Sequence, residues 1–465
     1  MITFINPPSC NDIDFSAKQS VIPPEGLCLL AACTRKAGYK TSLIDAPALG
    51  LSMKQVVDEI GRQRSDFVGL TASTITIHDC SELAKLIRKD YPNVKIFIGG
   101  PHITVAGEET MKYFQGDFDV GVYGEAEITI VELLDSFTKK KPLKEIDGIM
   151  FFDKNKLVIT KKRMPIKDLD DLPMPAWDLL PDIKQFYKQS VARADRFPSF
   201  SLMTSRGCPG QCIFCASENK LRSYSAERLI EIVKHLIHTY EIKSLEINDD
   251  NFVVFRDRLI KFCNTLIDEK IDLTWSCFSR VNHVDEKILN LMAQAGCKRI
   301  AYGIESGSQK ILDFEKKGIT LEQIKKAVKF THKAGIHVTG YFIIGHPLET
   351  KESMQKTIDF AKSLPLDDFL PSYMVPYPGT ELYEMGKKYG KFEKDWKRMY
   401  QWNINFIPNG LTQEDLEYYF KKGFREFYFR PKIFYNYTKK ALNPRHTWRF
   451  MKDGLGAVLF IAKGK

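Results

Sequence analysis

The sequence lacks the features that mark membrane-spanning, fibrous and disordered proteins. It has no uncharged apolar run of about 18 residues, the length that would suggest a transmembrane helix. Its first residues, MITFINPP, carry neither the basic start nor the apolar stretch of a secretion signal. It also contains no solenoid-length repeat and no low-complexity tract. These absences predict a cytoplasmic protein in a reducing compartment, where cysteines stay free of disulfide bonds.

The composition is that of a folded, multidomain protein. The chain has 465 residues, of which 44% are hydrophobic and 27% charged, and this length exceeds what one hydrophobic core supports. The net charge of +10 would suit nucleic acid, anionic lipid or an anionic substrate, and it selects none of them. Bases alternate with aromatics in residues 421–450, KKGFREFYFRPKIFYNYTKKALNPRHTWRF. We interpret this segment as a solvated helical face, with peripheral membrane contact as the alternative.

The first 145 residues alternate short β-branched runs with helical patterns. The candidate strands are ITFINPP, TSLIDAP, DFVGLTAS, VKIFIGG and DVGVYGE. This alternation predicts an α/β domain with a Rossmann-like, doubly wound parallel sheet covered by helices. Ligands of such sheets bind at the carboxyl ends of the strands, so the loops after Pro7, 71–73 and 99–102 should form one rim.

A second alternation follows a hairpin and a linker. Residues 146–195 hold a predicted hairpin, GIMFFDKNKLVIT, and a Pro- and Asp-rich linker, KDLDDLPMPAWDLLP. Residues 196–375 contain six strand–helix units, which predict a partial (β/α)6 barrel with its active rim at the carboxyl ends of the strands. Residues 376–465 are expected to form a mainly helical C-terminal cap.

Three of the ten cysteines form the array CPGQCIFC, with Cys208, Cys212 and Cys215 in a C-x3-C-x2-C spacing. Thiolates bind soft metals, so zinc and an iron–sulfur cluster are both candidates. Structural zinc usually has four protein ligands, and the next candidates, His235 and His238, lie about twenty residues on, which leaves zinc possible but unforced. A 4Fe-4S cluster on three cysteines keeps one iron open to an exogenous ligand.

This array, at the end of the first strand of a partial barrel, closely resembles that of the radical S-adenosylmethionine (SAM) enzymes. The resemblance implies that SAM chelates the open iron of a 4Fe-4S cluster held by Cys208, Cys212 and Cys215. It further implies that reductive cleavage of SAM gives a 5'-deoxyadenosyl radical, which abstracts hydrogen from a substrate.

The resemblance also assigns SAM contacts at successive strand ends. Taken singly, each charged residue among them reads as a surface ion pair; together they favour a site. Phe214 would lie beside the adenine, TWSCFSR places Ser276 and Arg280 at the third strand end, and Arg280 would pair with the SAM carboxylate. The remaining assignments are Asp249 and Asp250 in the acidic form of the second strand motif, and Glu305 and Ser306 at the ribose.

The first domain contains neither G-x-G-x-x-G nor a Walker A pattern after its first strand. Its segments INPPS, TAST, IGGPHIT and VYGEAE instead resemble the cobalamin-binding domain of cobalamin-dependent radical SAM enzymes, and with the barrel the resemblance covers roughly residues 1–375. It implies a slot for the nucleotide tail of cobalamin formed by four small residues, Thr71, Ser73, Gly99 and Gly100. The D-x-H-x-x-G motif of many corrinoid proteins is missing, and His78 and His102 lack its spacing, so we expect no histidine ligand in that mode.

The resemblance therefore implies a cobalamin-dependent radical SAM enzyme that methylates an unactivated carbon. The alternative is an oxidative cyclase or rearrangement enzyme acting on a tetrapyrrole or lipid, as in the anaerobic Mg-protoporphyrin monomethyl ester cyclase branch. The implied partners are a small-molecule or lipid substrate and an electron donor such as flavodoxin or ferredoxin. Nucleic acid is not expected, because the basic charge surrounds no recognisable reading element. A methylthiotransferase would need a second cysteine triad, and Cys10, Cys28 and Cys33 lack that spacing.

Overall fold

Two mainly parallel sheets form from the two alternating patterns of the sequence. A computed structural model of the protein describes residues 1–8, 21–187, 189, 194–431 and 433. Within this part of the chain, the first compact unit holds residues up to 187 together with 395–398, and the second holds the rest. The division of the sequence at residues 145, 195 and 375 stays a prediction.

The first sheet has seven strands in the order β2-β1-β3-β4-β5-β6-β7. Its strands are β1 Ile2–Asn6, β2 Thr41–Asp45, β3 Phe67–Thr71, β4 Lys95–Gly99, β5 Val120–Val122, β6 Ile149–Asp153 and β7 Lys156–Ile159. The first five strands are parallel, in the 2-1-3-4-5 order of a doubly wound fold. The predicted hairpin, β6 and β7, pairs antiparallel with β5 and extends this sheet.

Amphipathic helices cover this sheet because their apolar positions recur with helical spacing. They are α1 Glu25–Lys36, α2 Ala46–Leu49, α3 Met53–Gln63, α4 Ile77–Asp90, α5 Pro101–Tyr113, α6 Glu127–Lys139 and α7 Ile183–Phe186. Helix α3 begins at a capping box in which Ser52 and Gln55 satisfy each other's backbone N–H groups. The sheet contributes Val68, Ile96 and Ile98, all fully buried, and burial of such side chains is the main stabilising contribution.

Residues 395–398 complete the first unit through Trp396. The indole is 5% exposed, and its centroid lies 4.7 Å from that of His102 and 6.3 Å from that of His78. Tyr113 and Phe114 are also in ring contact with it. A short segment distant in sequence therefore belongs to the core between α4 and α5.

The second sheet has six parallel strands in the order β15-β14-β13-β12-β11-β8. The strands of this unit are β8 Ser199–Leu202, the antiparallel pair β9 Ser205–Arg206 and β10 Arg222–Ser223, β11 Ser244–Ile247, β12 Thr274–Ser279, β13 Cys297–Glu305, β14 His337–Ile344 and β15 Asp368–Tyr373. Its helices are α8 Ala226–Tyr240, α9 Arg256–Asp268, α10 Glu286–Gln294, α11 Gln309–Phe314, α12 Leu321–Lys333 and α13 Lys351–Ser363. Six strands separated by helices form the predicted partial barrel.

The chain continues as α14 Glu381–Tyr389, the strand pair β16 Gly390–Phe392 and β17 Phe406–Pro408, and α15 Gln413–Tyr428. Helix α15 packs Leu416 and Phe420 against Ile344, Met354 and Tyr373 of the barrel. Most of the basic, aromatic segment 421–450 lies outside the described residues. Among the described helices, none combines the length and apolar character needed to cross a membrane.

Candidate functional site

The three clustered cysteines lie on the loop between β9 and β10. The loop begins at Gly207, whose φ of +86° is in the left-handed region, and a Cβ there would lie 2.7 Å from the carbonyl oxygen of Glu218. Only glycine fits this position without strain. The N–H of Cys208 donates to the same carbonyl at 2.9 Å, so the loop closes beside the first cysteine.

The thiols differ in exposure: Cys208 and Cys212 are half-buried, and Cys215 is exposed. The Sγ of Cys215 accepts from the N–H of Ser217 at 3.4 Å, and the hydroxyl of Ser217 donates to Asp250 at 2.5 Å. Across the described residues, no three histidine, cysteine or acidic side chains converge on a single metal ion. A cluster places one thiolate on each ligated iron and needs no such convergence.

Arg280, which follows β12, lies against the cysteine loop. Its Nη1 donates to the Sγ of Cys212 at 3.5 Å, and its Nη2 donates to the carbonyl oxygen of Lys317. The predicted position of Arg280 at a strand end is correct. The strand-end position predicted for Ser276 was wrong, because β12 runs to Ser279 and leaves Ser276 in mid-strand.

Asp249 is fully buried and holds the connection between β8 and β9. Its carboxylate accepts from the N–H and hydroxyl of Thr204, at 2.5 and 2.6 Å, and from the N–H of Ser205 at 3.0 Å. Arg258 donates to it at 3.3 Å. The structure thus shows Asp249 within the scaffold beneath the cysteine loop, and its contact with SAM stays a prediction.

Glu305, the last residue of β13, pairs with a buried lysine. Its Oε1 lies 2.6 Å from the Nζ of Lys317, and that Nζ lies 5.9 Å from the ring centroid of Phe214. Ser306 is fully buried; its hydroxyl accepts from the N–H of Ser308 at 3.1 Å and lies 3.3 Å from that of Thr357. The ribose contacts of Glu305 and Ser306 stay predictions.

A buried charge pair, His346 with Glu315, lies beyond this lysine. His346 Nδ1 donates to the Glu315 carboxylate, and Nε2 lies 3.4 Å from the carbonyl oxygen of Glu305. Both partners are acceptors, so both ring nitrogens carry protons. Burial alone would lower the pKa of His346, but the carboxylates of Glu315 and Glu349 outweigh it and raise the pKa to about 9.

The interior of the barrel contains a small cavity, with room for about one water molecule. Glu246 and Arg299 line it together with Phe278 and Tyr341, whose ring centroids are 6.0 Å apart. The predicted site residue Ser276 lines this cavity too. The barrel interior therefore combines both signs of charge with an aromatic pair.

The carboxyl ends of β3 and β4 in the first sheet carry small, uncharged residues. Gly100 has a φ of +98°, and a Cβ there would lie 2.8 Å from the Oγ1 of Thr71. The adjacent Gly99 is partly exposed. Ser73 is exposed, and its N–H donates to the Oγ1 of Thr76 at 3.0 Å. The structure brings the four predicted cobalamin residues to this one edge.

His102 is fully buried next to that edge. The hydroxyl of Thr110 donates to the carbonyl of Ala106 at 2.8 Å, so His102 Nε2, 3.0 Å from that hydroxyl, donates to it. Nδ1 then accepts from Thr74 at 3.3 Å. Burial lowers the pKa of His102 to about 4. Both nitrogens of the neutral ring are engaged within the protein, and the absence of a histidine ligand in the D-x-H-x-x-G mode stays a prediction.

Lys317, Glu315 and His346 were not among the residues predicted from the sequence. Lys317 stands in FEKKGI, which matches no motif and reads as a surface turn. The H-x-x-E spacing of His346 and Glu349 directly after a buried strand is the signal that could have drawn attention to this cluster.

Comparison with known proteins defines the class. Residues 202–361 match the Radical SAM superfamily and residues 16–134 match the B12 binding domain. The chain is 36% identical over 416 residues to the uncharacterized methyltransferase PH0819 of Pyrococcus horikoshii, covering 88% of this chain and 89% of that protein. The chain belongs to the cobalamin-dependent radical SAM enzymes.

Two further proteins are similar to it. The anaerobic magnesium-protoporphyrin IX monomethyl ester cyclase of Rubrivivax gelatinosus is 27% identical over 89% of this chain and 75% of its own length. The solved structure of the cobalamin-dependent SAM radical enzyme OxsB, with aqua-cobalamin and SAM bound, superposes with a TM-score of 0.76 at 18% identity and covers 98% of this chain and 72% of that one. This last similarity supports the fold.

The cofactors of this class are a 4Fe-4S cluster, SAM and cobalamin, and the residues of the chain fit them. Three thiols on one loop suit an anionic cluster, and Arg280, which donates to Cys212, would stabilise a thiolate ligand of that cluster. Small residues suit close approach of a large cofactor to the strand ends, and at Gly100 the backbone itself passes close to Thr71 and Ala72, so that only glycine fits there.

Proposed function

We propose that this enzyme transfers a methyl group from SAM to an unactivated carbon of its substrate. The observation that carries the proposal is the presence of B12-binding and radical SAM regions in one chain that is 36% identical to a protein named as a methyltransferase. The bound cluster, SAM and cobalamin together supply the hydrogen-abstracting group and the methyl group of such a reaction.

The cysteine loop would hold the cluster through Cys208, Cys212 and Cys215. Arg280 supports this role because its guanidinium donates to Cys212. We assign Phe214 to the adenine side of SAM, since its ring is partly exposed on the same loop. The exposed carboxylate of Asp250 and the paired carboxylate of Glu305 are the proposed polar contacts to SAM.

We propose that the substrate is a small molecule or lipid that contacts residues of the barrel wall. Phe278 and Tyr341 offer aromatic walls, and Glu246 and Arg299, each paired with protein groups, make the neighbouring part of the wall polar. This combination suits a substrate with an apolar body and a polar end. A one-electron donor such as flavodoxin or ferredoxin completes the proposal.

A second candidate function is oxidative cyclisation or rearrangement. It is favoured by the 27% identity to the Rubrivivax gelatinosus cyclase, which acts on a magnesium porphyrin ester. Such a reaction uses the radical without delivering a methyl group.

The experiment that separates the two follows methyl-labelled SAM in enzyme loaded with reduced cobalamin. A methyltransferase should move the label to the bound corrinoid and release S-adenosylhomocysteine before any substrate is added. Formation of 5'-deoxyadenosine while the label stays on SAM would instead favour the cyclase. The matched control is Cys212→Ala, which should abolish reductive SAM cleavage and the cluster signal in electron paramagnetic resonance (EPR) but retain labelling of the corrinoid.

A further inference from the structure

Lys317 lies between α11 and α12 and contacts the cysteine loop, although no sequence motif identifies this lysine. Its ammonium is buried, 2.6 Å from the carboxylate of Glu305. The same ammonium lies 5.9 Å from the ring of Phe214, and its carbonyl oxygen accepts from Arg280. Lys317 therefore contacts the cysteine loop directly at Phe214 and indirectly through Arg280.

The charge on this lysine is maintained by its neighbours. Burial alone would lower the pKa of Lys317, but the Glu305 carboxylate, 2.6 Å from the ammonium, opposes this effect, and the pKa is raised. A charge in such a low-dielectric setting acts on neighbouring charges more strongly than a charge in water does.

The backbone around Lys317 is fixed at two further points. The carbonyl of Glu315 accepts from the N–H of Ile213 at 3.2 Å, directly after Cys212. The carboxylate of Glu315 is in turn held by His346. Two buried ion pairs, one at each end of residues 315–317, therefore hold this backbone against the cysteine loop.

We propose that Lys317 is a positioning residue of the cluster site: its carbonyl aims Arg280 at Cys212, and its ammonium, held by Glu305, raises the reduction potential of the cluster. The proposal rests on the assignment of the three cysteines as cluster ligands. Reduction of the cluster adds one electron from an external one-electron donor and breaks no bond. Because the reduced cluster is more negative, a fixed positive charge nearby stabilises it and raises the reduction potential.

The test is an EPR-monitored redox titration of the anaerobically reconstituted, full-length enzyme without SAM or substrate. Lys317→Met removes the positive charge, so the midpoint potential should become more negative. Glu305→Gln, made in the Lys317→Arg background so that the buried cation cannot lose its proton, removes the opposing negative charge, so the potential should become less negative. Lys317→Arg should restore most of the wild-type value, and Lys333→Met, which removes an exposed lysine paired with Glu286, should leave it unchanged.

The opposite signs distinguish electrostatic positioning from general damage to the fold. Unchanged potentials in both variants, or shifts of the same sign, would overturn the proposal. If Lys317→Met fails to take up the cluster, the other two variants decide. Glu305→Gln in the Lys317→Arg background must still raise the midpoint potential, and Lys317→Arg must leave it close to the wild-type value. Cys212→Ala separates this outcome from an incorrect ligand assignment: a full cluster signal in that variant overturns the assignment itself.

Discussion

Each unit contains a fully buried histidine near the carboxyl edge of its sheet, and the two carry different charges. His102 in the first unit exchanges hydrogen bonds with two threonine hydroxyls and is neutral, with its pKa lowered to about 4 by burial. His346 in the barrel donates to a carboxylate and is cationic, with its pKa raised to about 9. Burial acts in the same direction on both, so the partners decide the charge.

The same contrast extends along the two edges. Thr71 and Gly100 in the first unit are small and uncharged, whereas Arg280, Glu305 and Lys317 in the barrel form ion pairs and charged hydrogen bonds. The strand ends at Thr71 and Gly100 are small and uncharged, whereas those of the barrel carry charged side chains. This difference suits a large cofactor on the first unit and an anionic cluster with a charged ligand in the barrel.

The largest expected effect comes from replacing the two histidines with glutamine. His346→Gln leaves the carboxylates of Glu315 and Glu349 without a buried cation and should lower the free energy of unfolding by about 3–5 kcal/mol. His102→Gln removes only neutral hydrogen bonds and should cost about 1–2 kcal/mol.

Hydrogen exchange measured peptide by peptide checks both histidine variants, because it reports on each unit separately. Equal losses of protection in the two variants would break the contrast between a charged and a neutral histidine.

Two adjacent aspartates sharpen the description of the charged edge. Asp249→Asn weakens the hydrogen bonds that hold Thr204 and Ser205 and should lower the free energy of unfolding of the barrel by about 2–3 kcal/mol. Asp250→Asn alters an exposed side chain and should stay within about 0.5 kcal/mol of wild type. Denaturant unfolding followed by barrel tryptophan fluorescence measures both, and a reversed order would show that Asp249 is not part of the scaffold.

Substitution of Gly100 tests how closely the backbone packs at the uncharged edge of the first unit. Gly100→Ala places a Cβ 2.8 Å from Thr71 Oγ1 at a φ of +98°. Gly116→Ala is the matched control, since its φ is +94° and a Cβ there meets no atom within 4 Å. Backbone strain alone should cost the control about 1–2 kcal/mol, and the clash should add at least about 1 kcal/mol at Gly100. Retention of cobalamin after desalting should fall in Gly100→Ala alone; equal retention would contradict the assigned slot.

The smallest expected effect is a difference in pH dependence. His102 has a lowered pKa, so its contribution to stability is present above the unfolded value near 6.5 and is lost as the pH falls towards 4. His346 has a raised pKa, so its contribution is present below 6.5 and is lost as the pH rises through 9. Thermal unfolding from pH 5 to pH 9 should lose its acid slope in His102→Gln and its alkaline slope in His346→Gln; unchanged slopes would refute the assigned charge states.

Much of the fold could be predicted because both sheets have strong local signals. ITFINPP and VKIFIGG are β-branched runs bounded by turn residues, and they became β1 and β4. The addition of the hairpin β6–β7 to the first sheet could not be predicted, since pairing with β5 depends on a partner distant in sequence.

The site was predictable where a residue follows a strand, as Arg280 does. It was not predictable where a charge is buried by packing, as with Lys317, because sequence pattern does not distinguish a surface lysine from one that is paired inside the protein. Ser276 shows the same limit: its place in mid-strand depends on where β12 ends, and strand boundaries are the least certain part of such a prediction.

Trp396 shows that the first unit is not formed by one continuous stretch of sequence. Its core is completed by residues 395–398, which are encoded more than two hundred positions after the last strand of the sheet they complete. A fragment cut at residue 187 would lack Trp396 and its ring contacts with His78 and Phe114. A separately expressed or exchanged cobalamin-binding region should therefore include residues 395–398, either joined through a linker or added as a separate peptide.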